Sequence, residues 1–224
     1  MLSPEEWDVL SLSLRVALGC VVITLPPAVA LGWLLARRDF PFKALLDGLC
    51  HLPLVLPPVV TGYLLLLLFG RRGPLGPTLD ALGIALAFDW KGAVIASAVV
   101  AFPLALRSVR LSIEEIDPQL ERAARTLGAS KWRTFCTITL PLSLPGLLVG
   151  ALLAFARSLG EFGATITFVS NIAGQTRTLP AAIYTYLNQP DGEAAAARLV
   201  IISVIIALAA LIASEWANRR MRRF

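Results

Sequence analysis

The chain has 224 residues, of which 57% are hydrophobic and 16% are charged, and its formal net charge is +5. A soluble domain carries about 25% charged residues because it has to solvate most of its surface, so this composition excludes an ordinary soluble domain. The hydrophobicity also excludes a disordered chain, and the presence of only three cysteines excludes a disulfide scaffold. The composition therefore predicts an all-α integral membrane protein.

Segments with few or no charged side chains locate the membrane spans, because a helix needs about 20 predominantly apolar residues to cross the bilayer. We predict five transmembrane helices, at residues 14–36, 49–69, 92–111, 142–170 and 199–217. The apolar stretch at residues 81–88 is too short to cross, so we predict a short helix that lies at the membrane surface or dips into it. The whole chain, residues 1–224, is expected to form one membrane domain.

Basic residues set the predicted orientation, because loops on the cytoplasmic side carry an excess of Lys and Arg. Thirteen of the 20 basic residues fall on one side if the N-terminus is outside and the C-terminus is cytoplasmic. These are Arg37, Arg38, Lys43, Arg107, Arg110, Arg122, Arg125, Lys131, Arg133, Arg219, Arg220, Arg222 and Arg223. The acidic start, MLSPEEWD, is unlike a cleaved signal peptide, so we expect the first span to be retained. The positive net charge is therefore interpreted as a topology signal and not as a sign of nucleic-acid binding.

Proline residues interrupt the second predicted span. Pro53, Pro57 and Pro58 each remove a backbone donor, and we expect them to kink this helix or to unwind a turn of it. Exposed carbonyls are tolerated in a membrane where they face protein or a water-filled path, so Pro57 and Pro58 are candidates for the lining of a translocation pathway. Simple packing of a bent helix is the alternative. His51 is interpreted as an interfacial residue, because the sequence contains no second histidine to complete a metal site.

The longest loop on the predicted cytoplasmic side covers residues 112–141. Asp117 can cap a helix that begins at Pro118, since proline is well tolerated in the first turn. Gly128 can adopt the left-handed conformation that ends a helix, and Ser130 can cap a second short helix. An ordinary connector needs only a few residues, whereas this loop has nearly thirty in an ordered pattern. We therefore predict a surface on which a partner protein docks, with a plain connector as the alternative.

The same loop resembles the EAA motif of the permease subunits of ABC importers, which reads Glu-Ala-Ala, three residues, Gly, nine residues, Ile-x-Leu-Pro. The spacing matches throughout, although Arg122 stands at the position of the motif's glutamate and Glu121 precedes it. In that family the loop forms the coupling helix that inserts into a cleft of the ATPase subunit. The resemblance therefore implies ATPase-coupling roles for Glu121, Arg122, Ala123, Ala124, Gly128, Ile138, Leu140 and Pro141.

Two further segments resemble permeases for tetrahedral oxyanions, a group that transports molybdate, tungstate and sulfate or thiosulfate. They are residues 51–63, HLPLVLPPVVTGY, and residues 158–165, SLGEFGAT. Within this group, the short N-terminus, the run HLPLVLPPVV and the stretch GEFGATITFVSNIAGQTRTLP look most like bacterial molybdate permeases. The resemblance implies a type I importer permease of MetI-like fold that forms a homodimer in the bacterial inner membrane. It also implies two partners, a dimer of cytoplasmic ABC ATPase subunits and an extracytoplasmic molybdate-binding protein. Tungstate and sulfate or thiosulfate are the alternative substrates.

Two charged residues lie inside the fourth predicted span. Arg157 and Glu161 are four residues apart, so both fall on one helix face and can neutralise each other. A structural ion pair is one interpretation, and the other is that they line the translocation pathway, with Arg157 opposite the passing anion. Gly160 and Gly163 flank the pair and would permit close helix contact or bending. We therefore place all four residues among the pathway candidates.

Neither ATP hydrolysis nor another catalytic activity is expected from this chain. The phosphate-binding loop of an ATPase needs a Lys followed by Ser or Thr, whereas Lys43, Lys91 and Lys131 are followed by Ala, Gly and Trp. We expect no catalytic residue, no metal site and no cofactor here, with ATP and Mg²⁺ bound by the partner ATPase. Two alternatives from other classes stay open, a self-sufficient secondary transporter and a membrane scaffold for an enzyme complex.

Overall fold

The structure, a computed structural model, describes residues 2–221, and within the last helix it describes no side chain at 214, 215 or 217–221. Arg219, Arg220, Arg222 and Arg223, which complete the predicted basic cluster at the C-terminus, therefore have side chains outside the described residues. Helices and turns make up the described chain, and no strand occurs between residues 2 and 221. The predicted all-α class is confirmed.

Twelve α-helices and one π-helical turn follow one another within residues 2–221. They are α1 Pro4–Arg37, α2 Lys43–Val55, α3 Pro58–Phe69, α4 Gly76–Ala81, α5 Trp90–Glu114, α6 Pro118–Thr126, α7 Lys131–Thr134, the π-helical turn Phe135–Thr139, α8 Leu140–Leu142, α9 Leu144–Leu159, α10 Gly163–Val169, α11 Leu179–Leu187 and α12 Glu193–Met221. Among the described residues, α1, α5 and the Glu193–Ala213 part of α12 are long and apolar enough to cross a membrane. The count rises to five if each of two bent helix pairs forms one span.

The core lies where α1, α5 and α9 pack side by side. Small residues line these contacts, including Ala28 on α1, Ala101 and Ala105 on α5, and Ala154 on α9, all of which are fully buried. Apolar side chains gain little by leaving lipid for protein, so helices in a membrane associate through close van der Waals packing, which small residues permit. This three-helix core supports the loop at one end and the broken helices at the other.

The first helix begins ten residues before the predicted start of span one. Ser3 caps it by accepting a hydrogen bond from the Glu6 N–H at 3.2 Å, and the Glu6 carboxylate accepts one in return from the Ser3 N–H. The Glu6 side chain is 1% exposed and is paired with Arg198 of α12 at 2.8 Å. The first turns of α1 contain charged residues. A search for segments without charge therefore places the start of the helix too late.

The second predicted span is broken into α2 and α3, which are bent by 112° relative to each other. Leu56 and Pro57 both have extended backbone between the two helices, with ψ of 142° and 133°. Each of them precedes a proline, and contact with the proline ring disfavours the helical region for the residue before it. The predicted interruption is confirmed, and it is a sharp turn of the chain.

The prediction of a single helical span over residues 142–170 is wrong in part, because two helices occupy this region. The helix α9 ends at Leu159, and α10 begins at Gly163 after a short non-helical segment. On the other side, the predicted short helix after Ser130 runs on through α7, the π-helical turn and α8 to Leu142, where the chain bends by 66° into α9. Pro141 provides the reason for the π-helical turn, since it cannot donate to the preceding turn and its ring displaces the carbonyl there.

The short helix predicted at residues 81–88 is also wrong. The helix in this region is α4, which ends at Ala81, and residues 82–88 form turns and irregular chain. Gly83 and Phe88 have φ of +69° and +60°, which no α-helix can accommodate. Another element that the hydropathy pattern does not indicate is α11, which lies against α12 and the start of α1.

Candidate coupling and translocation sites

The loop between α5 and α9 begins with a helix whose ends are set by its own sequence. The Asp117 carboxylate accepts a hydrogen bond from the Gln119 N–H at 2.9 Å and so caps α6, which starts at Pro118. Gly128 ends the helix with φ +89°, and a Cβ at this position would meet no atom within 4 Å. Ser130 caps the next helix by accepting a hydrogen bond from the Arg133 N–H at 3.2 Å. The predicted caps and the glycine turn are confirmed.

Glu121 faces the membrane domain. Its carboxylate Oε1 lies 3.1 Å from Arg37 Nε at the end of α1 and accepts a hydrogen bond from the Thr139 hydroxyl at 2.7 Å. The same arginine donates to the Ile116 carbonyl at 2.9 Å. Charge-assisted hydrogen bonds of this kind orient both partners, so Glu121 joins α6 to α1 and to the π-helical turn. Arg37 and Thr139 are anchors of the loop that sequence reasoning missed.

The remaining motif residues form an outward side of the loop. Arg122, Ala123, Gly128 and Pro141 are exposed, while Ala124, Ile138 and Leu140 are half-buried. Large apolar side chains are also exposed beside them, with Leu120 at 47%, Trp132 at 73% and Leu127 at 88%. Such a concentration of exposed apolar side chains next to charged ones is typical of a protein interaction site.

An ion pair with a buried carboxylate lies at the other end of α9. Arg157 Nη2 is 2.7 Å from Glu161 Oε2, and the Glu161 side chain is only 1% exposed. The second carboxylate oxygen of Glu161 accepts a hydrogen bond from the Ala164 N–H at 2.7 Å, in the first turn of α10. The predicted pairing is confirmed, although Glu161 lies in the segment between the two helices. Glu161 thus joins the end of α9 to the start of α10.

Two glycines permit α3 and α10 to cross closely. A Cβ on Gly62 would lie 2.5 Å from the Ala164 carbonyl oxygen, and a Cβ on Gly163 would lie 2.8 Å from Pro58 Cβ. Gly160 has no such close neighbour, since a Cβ on it would have only the Ala156 carbonyl oxygen within 4 Å. Gly163 therefore provides the close contact that was predicted, and Gly160 lies where α9 ends. Sequence reasoning missed Gly62, for which a lone glycine in a run of leucines and valines was the available signal.

The structure brings together some of the predicted residues and keeps others apart. Pro58, Gly163, Glu161 and Arg157 form one connected group, whereas the coupling motif lies at the opposite end of α9. The 16 residues of α9 separate the two groups by roughly 24 Å at 1.5 Å per residue. A rigid helix of this length can transmit a movement from one group to the other.

The described side chains contain no cluster of three or more His, Cys, Asp or Glu residues that could hold a metal ion. The polar groups at both sites are ion pairs, hydrogen-bond anchors and helix ends.

Comparison with known proteins gives consistent results. The family described as binding-protein-dependent transport system inner membrane component matches residues 28–223. The chain is 58% identical over 223 residues to the molybdenum transport system permease protein ModB of Escherichia coli (strain K12), covering 99% of this chain and 97% of that protein. It is 41% identical over 182 residues to the sulfate transport system permease protein CysT of Escherichia coli (strain K12), covering 81% of this chain and 65% of that protein.

The fold is shared with a solved transporter. A chain of the MetNI methionine ABC transporter in inward-facing conformations matches with a TM-score of 0.67 at 17% identity, covering 96% of this chain and 93% of that chain. At this level of identity the likeness concerns the fold alone. It confirms the predicted MetI-like architecture.

Proposed function

The chain belongs to the family of binding-protein-dependent transport system inner membrane components, and on that premise we propose that it is the permease subunit of an ATP-driven importer that carries molybdate into the cytoplasm. The observation that supports molybdate as the substrate is the 58% identity with a molybdenum transport permease over nearly the full length of both chains. The aligned region covers 99% of this chain, so it includes both the loop and the Arg157–Glu161 pair.

The loop formed by α6, the glycine turn and α7 is the proposed docking site for the ATPase. The shape of this loop is set by Asp117, Gly128 and Ser130, and Glu121 joins it to α1. A movement of the ATPase would therefore shift the end of α1 and the start of α9 together. Hydrolysis of ATP, with its Mg²⁺, is assigned to the separate ATPase subunit, and this chain supplies the transmission.

The group around Arg157 and Glu161 is the proposed translocation pathway. A dianion that crosses the membrane needs a counter-charge that holds it weakly, because tight binding would prevent release. Arg157 keeps 29% of its side chain exposed while its partner Glu161 is buried, so the guanidinium is the accessible member of the pair. The close crossing of α3 and α10 through Gly62 and Gly163 would position the break between α2 and α3 beside it.

The assembly that follows contains two copies of this chain, two ATPase subunits and an extracytoplasmic molybdate-binding protein. We place the assembly in the inner membrane and expect five spans, with each bent helix pair counted as one. The proposed orientation has the N-terminus outside, because this places Arg37, Arg38 and the loop between α5 and α9 in the cytoplasm, where basic residues accumulate and ATP is available.

Sulfate is the second candidate substrate, because the chain is also 41% identical to a sulfate transport permease. Uptake in cells that lack their own molybdate and sulfate permeases distinguishes the two. The chain is expressed with its ATPase and binding protein, radioactive molybdate uptake is measured with and without excess sulfate, and radioactive sulfate uptake is measured in parallel. We expect molybdate uptake that sulfate leaves unchanged, whereas saturable sulfate uptake with no molybdate uptake would contradict the proposal.

A further inference from the structure

A cavity of about 320 Å³ lies between the end of α1 and the loop helices α6 and α7. Its lining includes one acidic residue, Glu121, and five basic residues: Arg37, Arg38, Arg122, Arg125 and Lys131. The volume is at the lower end of the range for small-ligand sites. Its predominant positive charge indicates an anionic occupant.

The one acidic side chain does not neutralise this charge. Glu121 is already engaged by Arg37 at 3.1 Å and by the Thr139 hydroxyl at 2.7 Å. The other four basic residues of the cavity make no ion pair with any acidic side chain that the structure describes, and Arg38 instead lies with its guanidinium 5.8 Å from the centre of the Trp33 ring. Like charges brought together without counter-charges repel one another, so an anion in the cavity would be held by electrostatic attraction.

The cavity lies at the end of an apolar strip on a membrane-spanning helix. Val22, Pro26 and Ala30 are exposed on α1, and Trp33 and Arg37 continue the same face at spacings of three and four residues. Tryptophan is enriched where membrane meets water, and basic pockets beside transmembrane helices bind the head groups of anionic lipids. An occupant with a phosphate in the cavity would therefore have an apolar surface available for its tails.

We infer that this cavity binds the phosphate of an anionic phospholipid head group, with the acyl chains lying along the exposed face of α1. The lipid would contact α1 through Arg38 and Trp33, and the loop through Lys131 and Arg125. It would bridge the same two elements that Glu121 and Arg37 join, and so would stabilise the orientation of the loop. The cavity borders the loop that is proposed to dock the ATPase, but lipid binding is measured without transport, so the inference and the proposed function fail separately.

The test counts bound lipids directly. The full chain, purified in detergent, is equilibrated with an equimolar mixture of phosphatidylglycerol and phosphatidylcholine, and native mass spectrometry counts each lipid on the protein. The cavity variant carries Arg38→Gln and Lys131→Gln. The matched control carries Arg107→Gln and Arg133→Gln, which remove two exposed positive charges from the same predicted side without touching the cavity. A third variant, Arg38→Lys with Lys131→Arg, retains the charge.

We expect the wild type, the control and the charge-retaining variant to prefer phosphatidylglycerol, and the cavity variant to lose about tenfold of that preference. Adding the purified ATPase subunit or excess inorganic phosphate should leave the bound lipid in place. Equal losses in the cavity variant and the control would overturn the inference, since general surface charge would then explain binding. Displacement by inorganic phosphate would assign the cavity to a free anion, and displacement by the ATPase would assign it to an acidic surface of that partner; either result overturns the lipid site.

Discussion

The loop at one end of α9 and the helix crossing at the other both depend on glycine, but for opposite reasons. Gly128 in the loop has φ +89° with open space around it, whereas Gly62 and Gly163 at the crossing have no room for a Cβ. The shape of the loop therefore comes from backbone conformation, and that of the crossing comes from contact. A side chain in the loop redirects an exposed surface, while a side chain at the crossing pushes two helices apart.

The carboxylates at the two ends also differ, in how deeply they are buried and in how many groups share their arginine. Glu121 in the loop is 18% exposed, and it shares Arg37 with a backbone carbonyl. Glu161 at the crossing is 1% exposed, and Arg157 is the charged partner that it contacts. The loss of a partner should therefore cost far more at the crossing than in the loop, because a buried charge without a partner has no water to solvate it.

The largest effect is expected from Arg157→Ala. It leaves the buried Glu161 carboxylate unpaired, at a cost of about 3–5 kcal/mol, which should lower the thermal stability of the purified permease and abolish transport. The double variant Arg157→Ala with Glu161→Gln keeps an acceptor for the Ala164 N–H and should regain most of the stability. If the double variant also transports normally, the pair is purely structural and the pathway role of Arg157 is wrong.

A smaller loss of stability is expected from Gly62→Ala. The added methyl group would press on the Ala164 carbonyl oxygen at 2.5 Å, and overpacking of this kind costs about 1–3 kcal/mol. The matched control is Gly48→Ala in α2, where a Cβ meets no atom within 4 Å. Heating the purified proteins and measuring the folded fraction by gel filtration compares them. Equal stability of the two variants would show that α3 and α10 do not cross as closely as described.

Gly128→Leu should leave the membrane domain intact and affect the loop. Strain at a left-handed position costs about 1 kcal/mol, and relief of that strain redirects the residues that follow. We expect normal abundance in the membrane, with weakened co-purification of the ATPase and loss of substrate-stimulated hydrolysis. Asparagine tolerates this conformation, so Gly128→Asn should retain much of the association. A leucine variant with full ATPase association and normal transport would exclude the coupling role.

The smallest effect is expected from Arg122→Ala. The side chain is exposed and makes no described ion pair, so its removal should change the stability of the permease by less than about 0.5 kcal/mol. ATPase association should fall only slightly, since a charge at the rim of an interface contributes little. Arg37→Ala, which frees Glu121, provides the contrast and should weaken association more. The reverse order would indicate that Arg122 itself is the main contact.

Local sequence signals account for most of the loop. Asp117, Gly128 and Ser130 act within a few residues of their own position, so the caps and the turn could be predicted without knowledge of the rest of the fold. The pair of Arg157 and Glu161 was also predictable, because both residues are close along the chain. The contact between Glu121 and Arg37 was not, since 84 residues separate the two side chains.

The breaks in the helices could be predicted only in part. The prolines indicate an interruption near residue 57, but its angle of 112° depends on how α3 packs against α10. No proline marks the end of α9 at Leu159. Just after this end, the Glu161 carboxylate pairs with Arg157 and accepts a hydrogen bond from the Ala164 N–H in the first turn of α10. The angle depends on a contact between distant segments, the end of α9 depends on a local side-chain arrangement, and hydropathy along the chain encodes neither of them.

The most direct test of the account is molybdate accumulation in proteoliposomes that contain the permease, its ATPase and its binding protein. The account predicts accumulation that requires ATP hydrolysis, persists without a proton gradient, and is lost in Gly128→Leu while the variant remains inserted. Accumulation that continues without the ATPase and collapses with the proton gradient would contradict it, and would identify the chain as a self-sufficient secondary transporter.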